Sequence, residues 1–219
     1  MRTLKLFSSL AVLPVMLAAQ QVPTDRLREV LPANVSDQVI AIVTDATAHG
    51  LPGRAIADRV LEGIAKGRSG EEVRAAALAL AADLAGAHGA LVGAGRTPDA
   101  SEIEAGATAM SLGVDGATVS ALAQSAPSGR SLAVPLAVIG ALVNRELPAD
   151  DALQAVLDRL NARASESDLT EMPGEAGQLI AQGYRPSDVG PALRASRPAG
   201  VPANSGRPGA RPQRPGRVP

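Results

Sequence analysis

The chain contains no cysteine and no tryptophan, and Phe7 and Tyr184 are its only aromatic residues. Without cysteine there can be no disulfide, thiolate metal site, cysteine nucleophile or lipid attached to a cysteine at a signal-peptide junction. Without aromatics there is almost nothing on which a base or a sugar ring can stack, which disfavours nucleic acid as a partner and weakens the case for a glycan-cleaving enzyme. Histidine is nearly as scarce, with only His49 and His88. No phosphate loop, H-E-x-x-H zinc motif, nucleophile elbow or calcium loop occurs. Gly93 and Gly95 make no dinucleotide turn, because no strand precedes them and no third glycine follows in place. The sequence therefore assigns no catalytic, cofactor-binding or metal-binding residue.

What is present is aliphatic. Hydrophobic residues make up 46% of the 219, so any core must be built of Ala, Leu, Val and Ile. The stretch from Gly50 to Val73 shows how. Gly50 suits the left-handed position just beyond a helix, and Pro52 suits the first turn of the next, where a missing N–H costs nothing. Ile56, Val60 and Ile64 recur every four residues with Leu61 beside them, while Arg54, Asp58, Arg59, Glu62 and Lys66 take the opposite face. Gly67 ends this run, and Ser69 with Glu72 forms a capping box that starts another. The pattern predicts a helix, a tight turn and a helix.

The same pattern returns 96 residues later. Leu147, Pro148, Val156, Leu157 and Ser165 match Leu51, Pro52, Val60, Leu61 and Ser69, and Asp168 and Leu169 replace Glu72 and Val73. Helix boundaries recur every 16 to 19 residues over much of the chain. The expected fold is all-α, an array or bundle of eight to ten short helices paired as hairpins and open to solenoid-like stacking, with a disordered C-terminal tail. The hairpin domain is expected over residues 24–196, with the repeated units at 51–73 and 147–169.

Further stops and starts follow along the chain. A short helix from Thr24 to Leu31 is broken by Pro32, and Ser36 is expected to cap the next. The longest helix should run from Gly70 to about Val92 on a stripe of Val73, Ala77, Leu80, Leu84 and Leu91, with His88 on the same stripe. Asp115 should cap a short helix through Leu122. The segment from Ser131 to Asn144 is apolar on all sides, which describes an enclosed helix. A weak break is expected at Pro173 and Gly174, and a last helix holds Val189 and Leu193.

The ends differ in kind. Arg2 and Lys5 precede an apolar run from Leu6 to Ala19, the order of a secretory signal peptide over residues 1–20. Export to the periplasm or the extracellular space is the expectation, with an uncleaved N-terminal anchor as the alternative and no transmembrane span in the mature chain. From Arg197 on there are six prolines, four glycines and five arginines, with no acid. Of the 21 basic residues two lie before Gln20 and five in this tail, which leaves 14 against all 22 acidic residues in between. An acidic body thus carries a basic tail, whose Arg197, Arg207, Arg211, Arg214 and Arg217 are the candidate contacts to an anionic envelope surface.

The remaining polar residues have structural uses. His49, beside Gly50, should meet the negative end of its helix, and Tyr184, after the helix stop at Gly183, should cover another helix end. Asp37, Glu71, Glu72, Asp99, Glu102, Asp150, Asp151, Asp168 and Asp188 fall in caps or first turns, where the helix dipole favours them. The leading expectation is a non-catalytic binding or scaffolding protein of the cell envelope with a protein partner. Two alternatives stand: an envelope hydrolase working through acidic residues, and a tether to an envelope polymer or membrane surface acting through the tail.

Overall fold

The computed structural model describes residues 23–195. Among the described residues there are ten helices and no strand: α1 (Thr24–Val30), α2 (Ala33–Ala48), α3 (Gly53–Ala65), α4 (Gly70–Gly93), α5 (Ala100–Ser111), α6 (Gly116–Ser125), α7 (Ala133–Val143), α8 (Ala149–Asn161), α9 (Glu166–Ala181) and α10 (Pro186–Ala195). The protein is all-α, as the periodicity required. The tail arginines Arg197, Arg207, Arg211, Arg214 and Arg217 and the N-terminal apolar run lie outside the described residues.

The helices stack in two layers. The even-numbered ones pack in succession, α2 on α4, α4 on α6, α6 on α8 and α8 on α10, while α1 packs on α3, α5 on α7 and α7 on α9 in the other layer. Such next-but-one packing is how a solenoid of hairpins grows. Its core is aliphatic and falls into two clusters that meet at α4 and α5. One joins Leu27, Val39, Ile56 and Val73 to Ile103 of α5, and the other runs from Leu91 through Leu136 and Ile139 to Leu193.

Turn chemistry sets the helix ends. After α2, α3, α4, α5, α7, α8 and α9 one residue adopts positive φ, and the N–H after it bonds a carbonyl five residues back: Leu51 to Ala46, Arg68 to Gly63, Arg96 to Leu91, Val114 to Ala109, Leu147 to Leu142, Ala164 to Arg159 and Tyr184 to Leu179. These are Schellman ends, which satisfy carbonyls the helix leaves open. Helix starts are capped by Ser69, Asp99, Asp115 and Ser165, each accepting a backbone N–H three residues on.

Some close approaches need the absence of a side chain. A Cβ on Gly140 of α7 would lie 3.0 Å from the Cα of Ala109 in α5, and one on Gly106 would lie 2.8 Å from the Cβ of Ala87 in α4. Small residues at these crossings let aliphatic helices pack closely.

Two expectations about helix boundaries are corrected. Ser36 is not a cap: α2 begins at Ala33 after Pro32, and Ser36 is buried in its first turns with its hydroxyl donating to the Ala33 carbonyl at 3.0 Å. Proline fits just before a first turn, so Pro32 starts the helix four residues early. No break occurs at Pro173 and Gly174, since α9 continues through both. The proline removes one N–H, while buried Leu169, Met172 and Ala176 hold the helix against the core on either side.

Candidate functional site

The two histidines, 39 residues apart in sequence, meet at one groove. It lies between the C-terminal half of α2 and the middle of α4, has a volume of about 790 Å3, and is lined by Ile42, Asp45, His49, Leu78, Ala85 and His88 with Ala41, Ala46, Leu51 and Ala81. Its walls are aliphatic apart from Asp45 and the imidazoles. That volume lies in the usual range for ligand-sized clefts.

The position of each histidine follows from its helix. His49 is the residue at the C-terminal end of α2, and its Nδ1 lies 2.8 Å from the Asp45 carbonyl oxygen and 3.6 Å from Asp45 Oδ1. A carbonyl oxygen can only accept, so Nδ1 carries the hydrogen and meets the negative helix end as expected. His88 is half-buried beside the stripe Val73, Ala77, Leu84, Ala87 and Leu91 rather than on it. It borders the groove because it is one residue past Ala87 on the turn that faces α2.

Helix α4 presents a second apolar face beyond the groove. Ala75, Leu78, Ala82, Ala85, Gly89 and Val92 are all exposed, and Leu78 and Val92 at 48% each are among the few exposed large hydrophobic side chains. These residues recur at helical spacing on the side away from the core. From Ala75 to Gly95 the only ionisable residues are Asp83 and His88. Among the described residues α4 is also the one helix long and apolar enough to cross a membrane, with 22% of its apolar window buried.

A group of acidic residues lies elsewhere, and two of them are paired. A cleft of about 240 Å3 between α3 and α5 is lined by Asp58, Arg59, Glu62 and Glu104 above Leu80 and Leu84. Lys66 hydrogen-bonds Glu62 at 2.5 Å, and this bond, with the attraction of the same ammonium, holds the Glu62 carboxyl below its ordinary range. Asp58 pairs with Arg54 at 3.4 Å. The backbone N–H of Ser69 lowers Glu72, the Ser101 hydroxyl lowers Asp99, the Thr118 backbone N–H lowers Asp115, and the Ser165 backbone N–H lowers Asp168. Each of these five carboxyls is shifted downward, whereas a general acid at neutral pH needs an upward shift.

Several of the acids singled out in the sequence make structural contacts. Glu71 pairs with Arg74 at 2.8 Å, Asp151 with Arg194 at 3.3 Å, and Asp188 with Arg185 at 2.9 Å. Buried Glu102 accepts the Asp99 N–H at 3.2 Å in its own helix and the Leu132 N–H at 2.7 Å ahead of α7. Arg159 is 3% exposed and pairs with Glu175 at 2.8 Å. Among the described residues no three of His, Asp and Glu come together as a metal site would require. Tyr184 closes α9 through its backbone N–H, while the residue as a whole stays 45% exposed.

Sequence reasoning missed the groove. Its signal was the outer periodicity of α4, Leu78 to Val92, which is as regular as the inner stripe but composed of smaller residues. Compared with family models, curated proteins and solved structures, the chain matches none.

Proposed function

We propose that this chain is an exported, non-catalytic helical protein of the cell envelope that docks a protein partner on the α2–α4 face. The observation that carries the reading is the largely aliphatic groove of about 790 Å3 continuing onto the exposed face of α4. A bare apolar surface of this extent on a helix whose other side is packed in the core is a docking surface in water. Recognition would follow the helix-in-groove mode, with apolar anchors of the partner at helical spacing. The inner side of α4 supports this over a membrane-spanning role, because Val73, Ala77, Leu84, Ala87 and Leu91 are fully engaged with neighbouring helices.

Export rests on the order of Arg2 and Lys5 before the apolar run to Ala19. The tail arginines from Arg197 to Arg217 would add an electrostatic tether to an anionic envelope surface. The proposal also includes an internal duplication. Helices α3 and α8 span Gly53–Ala65 and Ala149–Asn161, each end displaced by 96 residues, and the next helices start at Gly70 and Glu166 behind the capping boxes of Ser69 and Ser165.

The test is a photoreactive residue placed at Ala85 in the full chain, with Gly174 on α9 as the control position. Irradiation in the producing cell should give a protein adduct at Ala85 and none at Gly174. Absence of any adduct at Ala85 overturns the docking role.

A further inference from the structure

The face of α4 carries a more specific reading, which rests on its being a protein-docking surface: we propose that its occupant is a second copy of this chain, with the two α4 helices packed antiparallel about a two-fold axis.

Three observations select this partner. The first is shape. Leu78 and Val92 are the two large side chains of the exposed stripe, four turns apart, and between them lie Ala82, Ala85 and Gly89. Turned end for end, the stripe complements itself: Leu78 of one copy sits over Gly89 of the other, Val92 over Ala75, and Ala82 over Ala85. A Cβ on Gly89 meets nothing within 4 Å in the chain, so the hollow opposite Leu78 is open. A two-fold interface requires this self-complementarity.

The second is charge. The stripe holds no ionised group over its length, which gives a charged surface nothing to bind. Its ends carry opposite signs, with Glu71 70% exposed at the start of α4 and Arg96 just beyond its end. An antiparallel partner places Glu71 of each copy near Arg96 of the other and opposes the two helix dipoles, whereas a parallel one sets acid against acid. Arg96 uses Nη2 on the Arg130 carbonyl, and its guanidinium has further donors.

The third is area. A helix of 24 residues is about 36 Å long. A contact face of that length, about 10 Å wide, together with the groove wall on α2, buries on the order of 500 Å2 per copy, at the low end of what a specific dimer needs. The pair is therefore a reversible, concentration-dependent dimer.

Sedimentation equilibrium of the purified full chain between about 1 and about 100 µM should show the mass rising from one copy toward two, the range in which a small interface saturates. Gly89→Glu should keep the mass at one copy throughout, with unchanged circular dichroism, because its side chain enters open space in the monomer. Gly174→Glu, an equally open site on α9, should dimerise like the wild type. In the cell, the photoreactive residue at Ala85 should give an adduct of twice the 22.1 kDa chain mass, less whatever processing removes. A wild-type mass fixed at one copy, or a dimer unaffected by Gly89→Glu, overturns the self-pairing. An adduct to a different protein then leaves the docking reading standing, and no adduct at all removes both. Flotation of the wild type with lipid vesicles that Gly89→Glu abolishes would reassign the face to a membrane.

Discussion

Arg96 donates from Nη2 to the backbone carbonyl of Arg130 at 2.8 Å, and Arg130 in turn donates from Nη2 to the carbonyl of Ala164 at 2.7 Å, each step spanning 34 residues. The two contacts join three successive loops, those after α4, α6 and α8, along one edge of the stack. They do for the loops what aliphatic packing does for the helices, tying each hairpin to the next. Arg130→Met should remove the second contact while keeping the aliphatic stem. Hydrogen bonds from charged groups contribute about 1.5–3 kcal/mol, and partial exposure of Arg130 brings the expected loss to about 1 kcal/mol. Urea denaturation should show a lower midpoint at unchanged slope. Arg74→Met, which breaks only the solvated pair with Glu71, should change stability by less than about 0.5 kcal/mol.

The glycines of this chain divide by what a methyl group would meet. Gly140→Ala places a carbon 3.0 Å from Ala109 Cα, a backbone atom that cannot move aside cheaply. Overpacking of about 1–3 kcal/mol should outweigh the gain of up to about 1 kcal/mol in helix propensity, so the variant melts lower. Gly89→Ala meets nothing within 4 Å and should raise stability by about 0.5–1 kcal/mol. Thermal unfolding of the two variants at concentrations where the chain is a monomer distinguishes them by sign.

Two helix ends use a left-handed residue other than glycine, Glu146 at φ 67° and Arg163 at φ 58°. They stand 96 residues after Gly50 and Gly67, which hold φ 74° and 76°. The backbone solution is the same at both pairs of positions, and only the residue type differs. A side chain in this conformation costs about 1–2 kcal/mol, offset by the greater freedom glycine has when unfolded. Arg163→Gly should therefore stabilise the protein by up to about 1 kcal/mol, and Gly67→Ala should destabilise it by a similar amount, as read from denaturation midpoints. A lower midpoint for Arg163→Gly would mean that the arginine side chain makes a contact worth more than the strain.

Most of the helix layout was legible because its determinants are local. Ser69 and Ser165 with their partners Glu72 and Asp168, the glycines at 50, 67, 113 and 183, and Pro52 each act within one or two turns. The two helix-boundary corrections have different causes: in α9 tertiary packing carries the helix across Pro173, whereas at Ser36 the local start signal of Pro32 takes precedence. The candidate site was hidden for another reason. His49 and His88 come together because α2 stacks on α4 two elements later, and no spacing within a single helix discloses which elements will be neighbours. The inner stripe of α4 was readable from its leucines, but its outer face is made of alanine and glycine, which mark a close approach only once the exposed side is known.

Acid should unfold this protein through its helix caps. Backbone N–H groups hold Glu72, Asp115 and Asp168 below their ordinary carboxylate range, Ser69 supplying the donor for the first, Thr118 for the second and Ser165 for the third. A carboxyl that is more acidic folded than unfolded binds its proton more readily in the unfolded chain, so stability rises with pH across that window. The contribution is complete above the unfolded values near pH 4 and is lost as the pH falls through the lower, folded ones. Asp115→Asn retains a good capping side chain but cannot titrate. Combined with Glu72→Gln and Asp168→Asn, it should leave the urea midpoint at pH 7 close to that of the wild type and flatten its decline below about pH 4. Identical acid limbs for the triple variant and the wild type would place the acid sensitivity outside these three caps.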